Sequence, residues 1–214
     1  MTTEPLFKVV VCGRAGVGKT SLLHATDPRW RLDTATPTAP TIAVDFFALS
    51  VPTSCRRSVR LQFWDTAGQE RFASPVTATF RNADAIIFVY DITNRDSFEA
   101  MARILGDALA ARGSGEPHVI IIGSKLDLAP TQRAVAVAEA EEGCRARGYT
   151  LLETSALERT NVDIMLQTLA DALVLRVTPP PRNTDQLRLM DQHPRRLSGK
   201  PIAPTPPPPG SCAC

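Results

Sequence analysis

GRAGVGKT, Gly13–Thr20, constrains this chain more than any other stretch, because it matches G-x-x-x-x-G-K-[ST] at every fixed position. Each residue type has a physical reason to be there. Glycines let backbone N–H groups turn inward and surround phosphate oxygens. A helix opening directly after the loop adds the partial positive charge of its N-terminus. Lys19 is expected to reach β- and γ-phosphates, and Thr20 to offer its hydroxyl to Mg²⁺. The loop follows the Val-rich run Leu6–Cys12 and opens the helix-like stretch Lys19–Ala25, which is the context the pattern requires. The bland alternative is an ordinary glycine turn.

Further apolar runs alternate with stretches of helical length. Ala43–Val51 and Ser58–Trp64, separated by PTSCRR, read as a hairpin. AIIFVY (Ala85–Tyr90) and HVIIIG (His118–Gly123) are continuous apolar runs, as in strands buried on both faces of a parallel sheet. Tyr149–Glu153 is a shorter sixth candidate strand. Helices are expected over Ser97–Arg112, Gln132–Arg147 and Val162–Val177. In the last, Val162, Met165, Leu166, Leu169, Leu173 and Val174 share one face. The alternation predicts an open α/β sheet covered by helices on both sides, with ligands beyond the C-terminal ends of the strands.

The 214 residues give room for one domain and a tail, and 43% hydrophobic with 21% charged residues suits a globular core. A net charge of +2 gives no support to a nucleic-acid partner. Cys12, Cys55 and Cys144 are scattered, which suits a reducing cytosol better than a disulfide framework. No signal peptide and no bilayer-spanning run is read. From Thr178 the composition turns to proline and polar residues, and a disordered linker is expected over 178–214. Its five basic and two acidic side chains leave +3 beside the terminal Cys212 and Cys214.

A second pattern, DTAGQE (Asp65–Glu70), directly follows the strand ending at Trp64. An aspartate at a strand end beside a phosphate loop is a further expected Mg²⁺ contact. Gly68 can bring its N–H against a γ-phosphate, and Gln69 is placed to orient an attacking water. Together GRAGVGKT and WDTAGQERF resemble the Ras-type small GTPases, and TIAVDF, RLQFW, RFASPV, TFRNA and FVYDIT resemble the Rab branch. The likeness covers roughly Leu6 to Val177, with the motifs in family order.

That resemblance implies a P-loop NTPase three-layer sandwich: a six-stranded, mostly parallel sheet with helices on both faces, over residues 1–177. It implies GTP and GDP as bound nucleotides, with Lys19 and Gln69 catalytic and Thr20, Thr41 and Asp65 on Mg²⁺. The nucleotide site would comprise Gly13, Ala15, Gly16, Val17, Gly18, Lys19, Thr20, Ser21, Thr41, Gly68, Ser124, Lys125, Asp127, Leu128, Ser155, Ala156 and Leu157. Thr41 would bind only the triphosphate state, so that its loop is released on hydrolysis. Trp30 would stack on the guanine edge, or else serve as an ordinary core or surface residue.

Guanine choice should come from GSKLD (Gly123–Asp127) and TSA (Thr154–Ala156). A carboxylate accepts hydrogens from guanine N1 and N2, where adenine has an unprotonated nitrogen and no amine. Lys125 would lie over the base, and the Ala156 N–H would meet O6. Ser124 stands where the family has asparagine, and its short hydroxyl cannot span what a carboxamide spans, so weaker affinity and faster exchange are expected. Thr79 stands where relatives carry a tyrosine of a partner-reading cluster with Phe46 and Trp64; either the effector face is altered or Phe80 fills the space.

The resemblance further implies geranylgeranyl groups on Cys212 and Cys214, the two lipids that stable anchoring takes. With them come a lipid-covering chaperone of the GDI type, exchange factors, GTPase-activating proteins (GAPs), effectors, and residence on the cytosolic face of an intracellular or plasma membrane. A monomeric switch in vesicle traffic is the resulting expectation. The alternative is a membrane adaptor that holds guanine nucleotide and scarcely cycles. An ATP-using P-loop enzyme fits only the phosphate loop.

Overall fold

The computed structural model describes residues 4–28, 45–66, 78–113 and 115–177, and all structural statements concern these. Thr41, Gly68, Gln69, Trp30, Cys212 and Cys214 lie outside them.

The strands are β1 (Leu6–Cys12), β2 (Asp45–Pro52), β3 (Ser58–Asp65), β4 (Ala85–Asp91), β5 (His118–Ser124) and β6 (Thr150–Glu153). They form one six-stranded sheet in the order β2-β3-β1-β4-β5-β6. β2 runs antiparallel to β3, with Phe46 opposite Trp64, and the other pairings are parallel. The helices are α1 (Lys19–His24), α2 (Arg95–Glu99), α3 (Met101–Arg112), α4 (Ala129–Gln132), α5 (Val137–Arg145) and α6 (Val162–Val177).

Two cores flank the sheet, because successive side chains of a strand point to opposite faces. On one face Val9, Val11, Phe63, Ile87 and Ile120 pack with Leu22 and Leu23 of α1 and with Met165, Leu169 and Leu173 of α6. On the other, Val10, Ile86, Phe88 and Ile121 pack with Met101 and Leu105 of α3 and with Ala140 and Cys144 of α5. Every residue of β4 is buried, as its unbroken apolar run requires. Each fully buried Leu or Ile contributes about 1.5–3 kcal/mol.

Two expected helices are divided. The stretch read as Ser97–Arg112 starts earlier and bends at Ala100, whose φ of −67° and ψ of −11° keep it helical. Its N–H donates to the Asp96 carbonyl, and Ile104 N–H donates to the Ala100 carbonyl, so the ladder continues through the bend. The stretch read as Gln132–Arg147 is helical only over α5: Gln132 ends α4, and Arg133–Ala136 lie between the two helices. Here a tertiary contact wins over periodicity: Ala134 and Val135 donate backbone hydrogen bonds to Ile92 at 2.9 and 3.1 Å. Both guanidinium ends of Arg133 meet the Glu153 carboxylate at 2.7 Å. Such long-range partners leave no trace in local sequence.

Candidate nucleotide site

The site is built at one end of the sheet, where the parallel strands deliver their C-terminal residues. From β1 the chain runs out to β2 at the sheet edge, returns through β3 beside β1, then crosses to β4 on the other side of β1. The loop after β1 therefore lies at the point where the winding reverses, which is where open α/β sheets bind ligands.

Loop geometry begins with Gly13, at φ 142°. A Cβ there would stand 2.1 Å from the Val89 carbonyl oxygen, so only glycine passes between the loop and β4. Gly18, at φ 93°, is the left-handed residue from which α1 starts. Lys19 is buried and folds back over the loop, its ammonium donating to the Gly13 and Arg14 carbonyls at 3.0 and 2.9 Å. That ammonium thus sits on the loop that is expected to hold phosphate. Ala15 and Gly16 are exposed at the mouth, and Val17 is buried. Arg14 turns aside toward Asp96 of α2, at 3.8 Å.

Thr20 donates its hydroxyl hydrogen to the Asp65 carboxylate at 2.6 Å. Asp65 ends β3 and is buried. The next residue, Thr66, closes the join by donating to the Val11 carbonyl at 2.7 Å. A hydroxyl and a carboxylate are hard oxygen donors, the set that suits Mg²⁺ when phosphates and water complete its shell. Among the described residues no group of three His, Cys, Asp or Glu side chains forms an all-protein metal cage. The donors present fit an ion shared with a phosphate ligand.

Ser124 closes β5 and is buried. Its hydroxyl lies 2.5 Å from the Val17 carbonyl and 2.8 Å from that of Tyr90. One O–H serves two acceptors, so Ser124 ties the phosphate loop to the end of β4. Lys125, left-handed at φ 64°, follows at once. Its ammonium meets the buried Asp91 carboxylate at 2.7 Å. Asp91 is held in turn by the Thr93 N–H and hydroxyl, at 2.8 and 2.7 Å. Asp127 accepts from the Ser155 hydroxyl at 2.5 Å. The turn after β6 joins this loop through Leu126 N–H on the Thr154 carbonyl at 3.0 Å. Ala156 is half-buried against the core, while Leu157 is 44% exposed.

Burial pushes the Cys12 thiol up to about 12, against a smaller opposing pull from the Lys19 charge. A thiol beside the phosphate loop is therefore protonated and inert at neutral pH.

The Ras family pattern matches residues 8–175. The chain is a Rab-like member of the Ras family. It is 37% identical over 169 residues to the mouse Ras-related protein Rab-42, covering 78% of this chain and 77% of that one. It is 39% identical over 170 residues to human Rab-30, covering 79% and 80%. It is 37% identical over 174 residues to Paramecium octaurelia Rab-7a, covering 79% and 82%. The Rab-like chain is accordingly a small GTPase, a GTP-hydrolysing enzyme that binds guanine nucleotide.

The structure brings together the phosphate loop, Thr20 with Asp65, and Ser124, Lys125 and Asp127 with Ser155. Asp91 carried no expected role, although FVYDIT (Phe88–Thr93) contains it; its position at the end of a strand is the signal that could have found it. On the lateral face, Phe46 is 60% exposed and stacks on Trp64 with ring centroids 5.5 Å apart. Lys8 lies over the Trp64 ring at 4.8 Å. Thr79 and Phe80 are both buried, and Phe80 belongs to the core cluster against which Trp64 packs.

Proposed function

We propose that this Rab-like GTPase is a Mg²⁺-dependent switch in intracellular membrane traffic, held on the cytosolic face of a membrane by lipids at Cys212 and Cys214. The observation that carries the reading is the Thr20–Asp65 hydrogen bond beside the buried Lys19 ammonium. It brings the loop hydroxyl and the strand-end carboxylate into contact beside the cation of that loop.

Catalysis of this kind is mainly positioning and electrostatics. Lys19 and the loop N–H groups would stabilise negative charge on the transferred phosphoryl group. Thr20, Asp65 and Thr41 would hold Mg²⁺, which when bound neutralises charge on the phosphate oxygens. Gln69 would orient the attacking water, with Gly68 against the γ-phosphate. Asp127 would accept hydrogens from guanine N1 and N2, with the Ser155 hydroxyl fixing the carboxylate's orientation. Leu128, Ser21 and Leu157 would complete the walls of the site.

Intrinsic turnover is expected to be slow, with a GAP accelerating it by about 10³–10⁵-fold. GDI-type chaperoning, exchange factors and effectors follow from the same reading. The Phe46–Trp64 face is the apolar surface available to an effector. No helix among the described residues is long and apolar enough to cross a membrane; the attachment proposed is by lipids on Cys212 and Cys214.

A second reading, an adaptor that scarcely cycles, draws on Ser124, whose hydroxyl is spent on two backbone carbonyls. Single-turnover GTP hydrolysis with Mg²⁺, with EDTA and with a GAP preparation separates the two. The switch reading expects Mg²⁺-dependent hydrolysis, accelerated by the GAP and lost in Gln69→Leu. Hydrolysis absent even with a GAP supports the adaptor. Membrane recovery lost in a Cys212→Ser/Cys214→Ser variant supports the anchor, and unchanged recovery removes it.

A further inference from the structure

The turn after β6 is tightly closed on itself. Ser155 N–H donates to the Thr160 carbonyl at 3.1 Å, Glu158 N–H to the Ser155 hydroxyl at 3.1 Å, and the Asn161 amide to the Glu153 carbonyl at 2.7 Å. At its apex Arg159 is left-handed, with φ 59°. A non-glycine residue in that region carries a conformational cost and persists where surrounding contacts hold it. Here the contacts are made by the guanidinium, which crosses to α1. It donates to the Ala25 carbonyl and to the Asp27 carbonyl, the latter at 2.8 Å. Its other arm lies 3.6 Å from Asp163 at the start of α6, and the side chain is 24% exposed.

The carbonyls it meets are not arbitrary. α1 begins with Lys19 and Thr20 and ends at His24, so Ala25 and Asp27 are in the turn that closes it. The last carbonyls of a helix lack intrahelical donors, and a cationic side chain satisfies them. From there the chain enters 29–44, which contains Thr41. One guanidinium thus joins the turn containing Ser155, whose hydroxyl holds Asp127 of the neighbouring loop, to the root of the segment containing Thr41.

We infer that Arg159 is a positioning residue that fixes the base-reading loop against the end of α1, and through it retards nucleotide release. The inference rests on the assignment of Asp127 and Ser155 to the guanine. Arg159 touches no group placed at the phosphates, so its removal acts on retention of the nucleotide and leaves the chemical step alone.

The test is release of fluorescent GDP from the full-length protein, alongside single-turnover hydrolysis of pre-bound GTP. Arg159→Ala is expected to speed release on the order of tenfold, as for loss of a charge-assisted hydrogen bond. Hydrolysis of bound GTP should stay within about twofold. Arg159→Gly removes the same guanidinium while relaxing the left-handed backbone. It should speed release as the alanine variant does, and Arg159→Lys, which keeps a cationic donor, should fall between. Release at the wild-type rate in both truncations overturns the inference. So does a hydrolysis rate that changes in step with release, because that marks general loosening of the site. Should Arg159→Ala fail to fold, the glycine and lysine variants give the same reading. Asp127→Asn tests the underlying assignment separately. It replaces an acceptor with a donor and should shift preference from guanosine to xanthosine diphosphate, whose C2 carries a carbonyl. No shift there removes the base-loop assignment whatever Arg159 does.

Discussion

At Gly13 a side chain has nowhere to go: its Cβ would collide with the Val89 carbonyl, and its φ of 142° is closed to other residues. Gly13→Ala is expected to cost about 1–3 kcal/mol, read as a lower urea midpoint, and to abolish nucleotide retention. Equal midpoints would remove the claim that loop and strand are in steric contact there. Ser124 makes a finer case. Its identity was visible in the sequence, and so was the expectation of faster exchange. The tie it forms was not, because nothing local says that Val17 and Tyr90 end up on either side of its hydroxyl. Ser124→Ala should speed GDP release by about fivefold, the worth of roughly one neutral hydrogen bond. Ser124→Asn should slow it, because the longer amide adds donors to the same pocket. Stopped-flow release unchanged in Ser124→Asn would show that the serine does not limit retention.

At the scale of elements, the strands were the most legible part. Runs such as HVIIIG are buried on both sides of a parallel sheet, so pattern and environment coincide. The start of α5 was less so, because Ile92 and Glu153 hold Arg133–Val135 out of the helix from a distance. β5 also carries a pH sensitivity. His118 opens that strand, its buried Nε2 has no hydrogen-bond partner among the described residues, and burial followed by the Arg176 charge lowers its pKa from 6.5. The unfolded chain therefore binds the proton more readily. The stabilisation is present above the ordinary value and is lost as pH falls through it toward the lowered folded value. Melting temperature should drop between about pH 7.5 and about pH 5.5 in the native chain, and drop less in His118→Gln. Parallel pH profiles for the two proteins would contradict this.

For the whole molecule, the sheet order explains why patterns far apart in sequence share one site. Cys12, Asp65, Asp91, Ser124 and Glu153 end five strands that point the same way, and each site loop leaves from one of them. Sequence spacing supplied the loops and their chemistry. It did not supply the strand order, which depends on long-range pairing, nor the Arg159 bridge, which follows no repeat. The roles expected of Thr41, Gly68 and Gln69 are tested by hydrolysis. Binding is the more basic property. Calorimetric titration of the full-length protein with GDP at millimolar Mg²⁺, repeated in excess ATP, bears on it directly. Saturable one-to-one GDP binding should survive about a thousandfold excess of ATP, because the Asp127 carboxylate meets acceptors on adenine. No heat of GDP binding, or equal displacement by ATP, would contradict a guanine-nucleotide site at the mouth of β1.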